Sequence, residues 1–118
     1  MSHILVLEDD RAAREAIVDY LSEFGWDVQP VASAGEAMHL AEQTRPDLAI
    51  CDWQLGGKGS GVDVARQLQR RFGTHIILVS AQPQVALKKS SSDFEVARYF
   101  TKPLSLTKLL ETVQSAGI

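Results

Sequence analysis

Three short runs, apolar at every position, constrain this chain more than anything else in it: Ile4-Leu5-Val6-Leu7, Leu48-Ala49-Ile50-Cys51 and Ile76-Ile77-Leu78-Val79. Such a run has no face to show to water, as expected of a strand covered on both sides. The segments between the runs carry apolar residues at helical spacing. Strands therefore alternate with helices, a pattern that implies right-handed crossovers and a parallel sheet. Parallel strands all finish at one edge, so the polar groups that stop them must gather there. Glu8, Asp9 and Asp10 end the first run, Asp52 and Ser80 end the other two, and Lys102-Pro103 ends a last strand read over residues 97–101. In open α/β sheets this carboxyl edge is where ligands bind.

The helices are legible from their periodicity and stops. Ala13, Ala16, Ile17, Tyr20, Leu21 and Phe24 form one apolar stripe that Gly25 terminates. Residues 26–31 read as an edge strand, and Ser33 with Glu36 is a capping-box signature for the second helix, whose end Pro46 follows. A glycine-rich loop, Gly56 to Gly61, leads into a third helix with Val62, Ala65 and Leu68. A fourth, poorly apolar helix is expected over about residues 83–92, and Leu106, Leu109, Leu110 and Val113 mark the fifth.

At 118 residues the chain reads as a single domain, residues 1–118, with no linker and no internal repeat. Its apolar runs are too short to cross a bilayer, and Met1-Ser2-His3-Ile4 lacks the basic region of a signal peptide, so a cytoplasmic location is expected. The single cysteine, Cys51, fits a reducing compartment and reads as an inert core residue. A net charge of -3 offers no clustered basic surface for nucleic acid.

The gathered residues suggest a particular chemistry. Four carboxylates at one edge repel one another unless a cation compensates. Oxygen is the only ligand type offered, which suits Mg²⁺ with retained waters better than Zn²⁺. Ser80 adds a hydroxyl and Lys102 a point charge. Together these are the parts needed for phosphoryl transfer to an aspartate.

The ordered motifs "ILVLEDD", "DLAICDW", "IILVSA" and "YFTKP" resemble those of the receiver domains of two-component response regulators, over essentially the whole chain. The resemblance implies a three-layer (βα)5 flavodoxin-like fold, with a five-stranded parallel sheet in order 2-1-3-4-5. It makes Asp52 the phosphoacceptor, served by a histidine kinase or a histidine phosphotransfer protein. It implies Mg²⁺ held by Asp9, by Glu8 through water, by Asp52 and by the backbone carbonyl of Gln54. Asp10 remains possible as a ligand in an alternative register. Ser80 and Lys102 take the hydroxyl and lysine roles, Pro103 follows a cis peptide, and Tyr99 occupies the aromatic switch position. A receiver of this kind is a signalling module rather than an enzyme with a substrate of its own, although it catalyses its own phosphorylation and dephosphorylation.

Departures from the family pattern lie around the site. Gly56 replaces a common proline in a loop one residue longer than usual, and Glu95-Val96 replaces a glycine-alanine pair. Gln54 and Gln82, each two residues beyond a site residue, are expected to tune hydrolysis of the phosphoaspartate. Competing readings fare worse. An aspartate-nucleophile phosphatase needs an aspartate where Glu8 stands, and a flavin site needs a hydroxyl-rich loop where three carboxylates stand. A receiver-like interaction module that no longer uses phosphate is the stronger rival. Possible downstream partners are an effector domain or a second copy, met through the face of helix 4, strand 5 and helix 5, and an excised receiver is expected rather than a stand-alone one.

Overall fold

In the computed structural model, which describes residues 2–55, 60–81 and 84–118, five strands alternate with five helices. The strands are β1 (His3–Leu7), β2 (Asp27–Val31), β3 (Leu48–Asp52), β4 (His75–Ser80) and β5 (Arg98–Thr101). The helices are α1 (Arg11–Glu23), α2 (Ala34–Gln43), α3 (Gly61–Phe72), α4 (Gln84–Ser90) and α5 (Leu106–Ser115). All pairings between these strands are parallel and the sheet order is β2-β1-β3-β4-β5, as the alternation and the family resemblance lead one to expect.

The apolar runs are buried on both faces because successive side chains leave the sheet in opposite directions. Leu5, Leu7, Ala49, Cys51, Ile76 and Leu78 pack to one side against α2 and α3. Ile4, Val6, Leu48, Ile50, Ile77 and Val79 pack to the other against α1 and α5. These four helices present matching stripes: Ala37 and Ala41 from α2, Val62, Ala65 and Leu68 from α3, Ile17 and Leu21 from α1, and Leu109, Leu110 and Val113 from α5.

Register carries the strand ends to one level. Leu7 pairs with Cys51, Cys51 with Leu78, Asp52 with Val79, and Ser80 with Thr101. Glu8, Asp52, Ser80 and Lys102 therefore lie at one rim. Loop hydrogen bonds fix their heights: Glu8 N–H donates to Val31 O at 3.2 Å, Trp53 N–H to Val79 O at 2.9 Å, and Lys102 N–H to Ser80 O at 2.8 Å.

The helices start where the sequence signals them. Asp10, Ser33, Ser60 and Ser105 each cap a helix by accepting a hydrogen bond from a backbone N–H three residues on. Three elements differ in extent from the sequence reading. Strand β2 starts at Asp27 rather than at residue 26, β5 starts at Arg98 rather than at residue 97, and α4 spans only Gln84–Ser90. With Lys88, Lys89 and Ser90 at its end, α4 has too little apolar surface to extend a helical stripe. The Lys102-Pro103 peptide is cis. Gln82 and the loop stretch 56–59 lie outside the described residues.

Candidate functional site

Glu8, Asp9 and Asp52 bring one carboxylate oxygen each to within 4.8 Å of one another. Glu8 is 4% exposed and Asp52 7%, so both charges have lost most of their water. One cation from the far end of the chain compensates them. Lys102 Nζ donates to Glu8 Oε1 at 2.9 Å and to Asp52 Oδ2 at 3.2 Å. Burial alone would lower the pKa of this ammonium. The hydrogen bond to Glu8 and the attraction and hydrogen bond to Asp52 outweigh it, and the pKa is raised.

A polar cavity of about 320 Å³ opens on one side of this bridge, lined by Asp9, Asp52, Gln54, Ser80, Ala81 and Lys102. All of these but Ala81 were read from the sequence as phosphoacceptor, metal ligands, hydroxyl or lysine. Asp10 sits apart, its carboxylate accepting from Ala13 N–H at 2.9 Å as the α1 cap. Among the described residues it is not part of the acidic cluster. Asp10 N–H in turn donates to Glu8 Oε2 at 3.2 Å, so both Glu8 oxygens are engaged.

Three contributors were not singled out from the sequence. Arg14 Nη1 donates to Glu8 O at 2.8 Å and to Asp9 O at 3.5 Å, holding the acidic turn by its backbone. Its position, one helical turn past the cluster, was the available signal. Gly61 lies so close to strand β3 that a Cβ there would fall 1.5 Å from Asp52 O. Ser91, 1% exposed, shares a 2.8 Å hydrogen bond with the Tyr99 hydroxyl, while Lys88 Nζ lies 5.6 Å from the Tyr99 ring centroid. Tyr99 is thus half-buried and held at its outer end against the residues following α4.

Immediately before Asp52, Cys51 is fully enclosed. Burial, and secondarily the Asp52 charge, push its thiol up to about 12. Thiolate is the reactive form, so iodoacetamide at pH 8 should leave Cys51 unmodified in the folded protein and label it once denaturant is added. Labelling of the native state at a comparable rate would contradict this packing.

The model of the response regulator receiver domain family matches residues 4–114. This chain belongs to the response regulator receiver domain family. It is 32% identical over 114 residues to the response regulator MprA of Mycobacterium sp. (strain KMS), covering 95% of this chain and 49% of that protein. The receiver thus spans about half the length of the curated relatives it matches. Its fold is similar to that of a CheY-like receiver domain protein from Methanospirillum hungatei, with a TM-score of 0.89 and 24% identity, covering 98% of this chain and 92% of that one. The response regulator TrrA of Thermotoga maritima, solved in complex with Mg²⁺ and BeF, is 27% identical with a TM-score of 0.84, covering 98% of this chain and 99% of that one. Receiver domains are signalling modules of two-component systems. The acidic pocket typical of them is present here as Glu8, Asp9 and Asp52. Among the described residues no helix is long and apolar enough to cross a membrane.

Proposed function

We propose that Asp52 accepts a phosphoryl group from the phosphohistidine of a histidine kinase or histidine phosphotransfer protein, and that the phosphoaspartate switches a protein interaction. The observation that carries this reading is the pairing of a buried Asp52 with Lys102 at 3.2 Å, beside an all-oxygen acidic cluster and facing a polar cavity. In the transfer, a carboxylate oxygen of Asp52 bonds to phosphorus as the P–N bond breaks, and the imidazole leaves with the electron pair. Lys102 already touches Asp52 and needs only to reorient to meet the incoming phosphoryl oxygens. Ser80 lines the same cavity and offers its hydroxyl to them.

The donor set fits Mg²⁺. Asp9 and Asp52 would hold it directly, Glu8 through water, and Gln54 through its backbone carbonyl. When bound, the ion supplies the positive charge that lets an anionic nucleophile approach an anionic phosphoryl group. A complex with Mg²⁺ and BeF in the similar TrrA supports this assignment.

The output follows from redistributed charge. Once Lys102 and Ser80 turn to the phosphoryl group, the space beside β5 changes and Tyr99 can exchange its contact with Ser91 for an inward position. The surface so altered, α4, β5 and α5, is where an effector domain or a second copy would read the state. Gln54 and Gln82 are proposed to set the phosphoaspartate lifetime by ordering or excluding water. Unchanged decay after replacing both with Ala would rule that out.

Incubation with Mg²⁺ and acetyl phosphate should add the mass of one phosphoryl group to the wild type and none to Asp52→Asn. It should also change the fluorescence of Trp53, the next residue. Without such a mass gain, the chain would be a receiver-like interaction module.

A further inference from the structure

A second cavity, of about 380 Å³, lies on the other side of the Lys102 bridge and plays no part in the phosphoryl-transfer reading. Its floor is Val6, Ile50 and Val79 at the ends of three strands. One wall is the first half of α1, through Ala13, Ala16 and Ile17, and the other is Pro103, Leu104 and Leu106 entering α5. The hollow has a local cause. Farther along α1, Ile17 and Leu21 are large and buried, filling the space between the helix and the sheet. Beside Ile17 and one turn before it the helix offers only the methyl groups of Ala16 and Ala13, which leave the space unfilled. An engineered apolar cavity of roughly 150 Å³ holds benzene, so this one has room for an aromatic ring with a short chain.

Charge at the mouth selects the head group. Glu8, Asp10 and Asp52 line it against one cation among the described residues, Lys102. Of these, Asp10 is exposed and donates none of its own charge to Lys102, its carboxylate accepting only a backbone N–H in the described contacts. An anion entering here would be repelled, and a neutral molecule would gain only apolar burial. A cation gains both.

We propose that this cavity is a binding site for small organic ammonium compounds with a compact apolar body, of the arylalkylamine class. The body lies between Ala13 and Leu104 and the ammonium meets Asp10 at the mouth. Because Asp52 and Lys102 form the wall shared with the polar cavity, an occupant adds positive charge behind the phosphoacceptor and competes with Lys102 for it. Occupancy should therefore slow phosphorylation of Asp52, a consequence that rests on the function proposed above, whereas the binding itself does not.

The test uses phenethylamine as probe and hydrocinnamate, which carries a carboxylate on the same ring and chain, as its anionic counterpart. Backbone amide shifts in the wild-type protein should move with phenethylamine at Ala13, Ala16 and Leu104, with hydrocinnamate at least tenfold weaker. Ala13→Leu, a substitution that suits a helix and fills the hollow, should abolish the response while melting no lower than wild type. Ala16→Leu serves the same purpose if that variant misfolds. Equal affinity for the two probes, or binding undiminished by the filling substitutions, would overturn the proposal. Phosphorylation by acetyl phosphate should slow severalfold with phenethylamine in wild type and not in Ala13→Leu. Loss of labelling in the absence of any amine would instead count against Asp52 as phosphoacceptor and leave the binding result standing.

Discussion

Replacing Lys102 with Met should unfold the protein at markedly lower denaturant and cut phosphoryl uptake on the order of 100-fold. The ammonium bridges two carboxylates that are almost wholly removed from water, and no other cation is recorded within bonding distance of either among the described residues. Breaking a fully buried ion pair by removing one partner costs about 3–5 kcal/mol. The Lys102 side chain is one-third exposed, so solvent offsets part of this and a loss of about 2 kcal/mol is expected. Two controls separate the charge effect from lost packing. Asp52→Asn in the Lys102→Met background should recover much of the stability, because it removes one of the two charges left facing each other. Mg²⁺ should recover some as well. The pH dependence has a definite sign. A lysine whose pKa is raised on folding contributes stability fully below the ordinary lysine value of about 10.4, and that contribution disappears as pH rises through the folded value. The gap between wild type and Lys102→Met should thus hold through neutral pH and close in the alkaline range. An equal denaturation midpoint for the two proteins at pH 7 would show that the bridge does not matter to folding.

The meeting of Glu8, Asp52 and Lys102 was legible because it depends only on topology. Runs such as Ile4 to Leu7 and Leu48 to Cys51 can only be central parallel strands, and a parallel sheet delivers whatever follows its strands to one edge. The division of work within Glu8-Asp9-Asp10 came only from the family resemblance, which named Glu8 and Asp9 and left Asp10 open, because three adjacent carboxylates have the same pattern whichever of them faces inward. Helix geometry separates them. Asp10 is three residues before Ala13 and caps α1, while Glu8 points into the rim to meet Lys102. The extent of α4 escaped for a related reason: Lys88, Lys89 and Ser90 do not oppose a helix, but they supply no apolar stripe by which to place its ends. The half-buried hydrogen bond between Ser91 and Tyr99 left no mark in a segment that looked merely polar. The hollow beside Ala13 and Ala16 was hidden because alanine counts as apolar in a periodic stripe whether or not it fills the space it faces. Volume, unlike polarity, has no period in the sequence.

Gly61 gives the second large effect, and its cause is backbone rather than side chain. It opens α3 directly after the Ser60 cap, and its N–H donates to Trp53 O at 3.0 Å, so the helix start is stitched to the residue that follows Asp52. A Cβ at this position would lie 1.5 Å from Asp52 O, 2.7 Å from Asp52 C and 3.3 Å from Trp53 O. None of these atoms belongs to a side chain that could swing away. Either α3 or the end of β3 must move, and β3 is pinned on both sides by β1 and β4. Overpacking of a core side chain typically costs about 1–3 kcal/mol, and a clash against a fixed carbonyl should exceed that range. Gly61→Ala should therefore lose more than about 3 kcal/mol of stability, and what folded protein remains should label poorly at Asp52. Gly35, in the first turn of α2, is the matched control, since a Cβ there would meet nothing within 4 Å. Gly35→Ala should stabilise the protein by about 0.5–1 kcal/mol through helix propensity and a restricted unfolded chain. Opposite signs for the same substitution at two helix starts would tie the cost at Gly61 to the close approach of α3 to Asp52. A Gly61→Ala protein as stable and as readily labelled as wild type would mean that α3 does not sit against the end of β3 at Asp52.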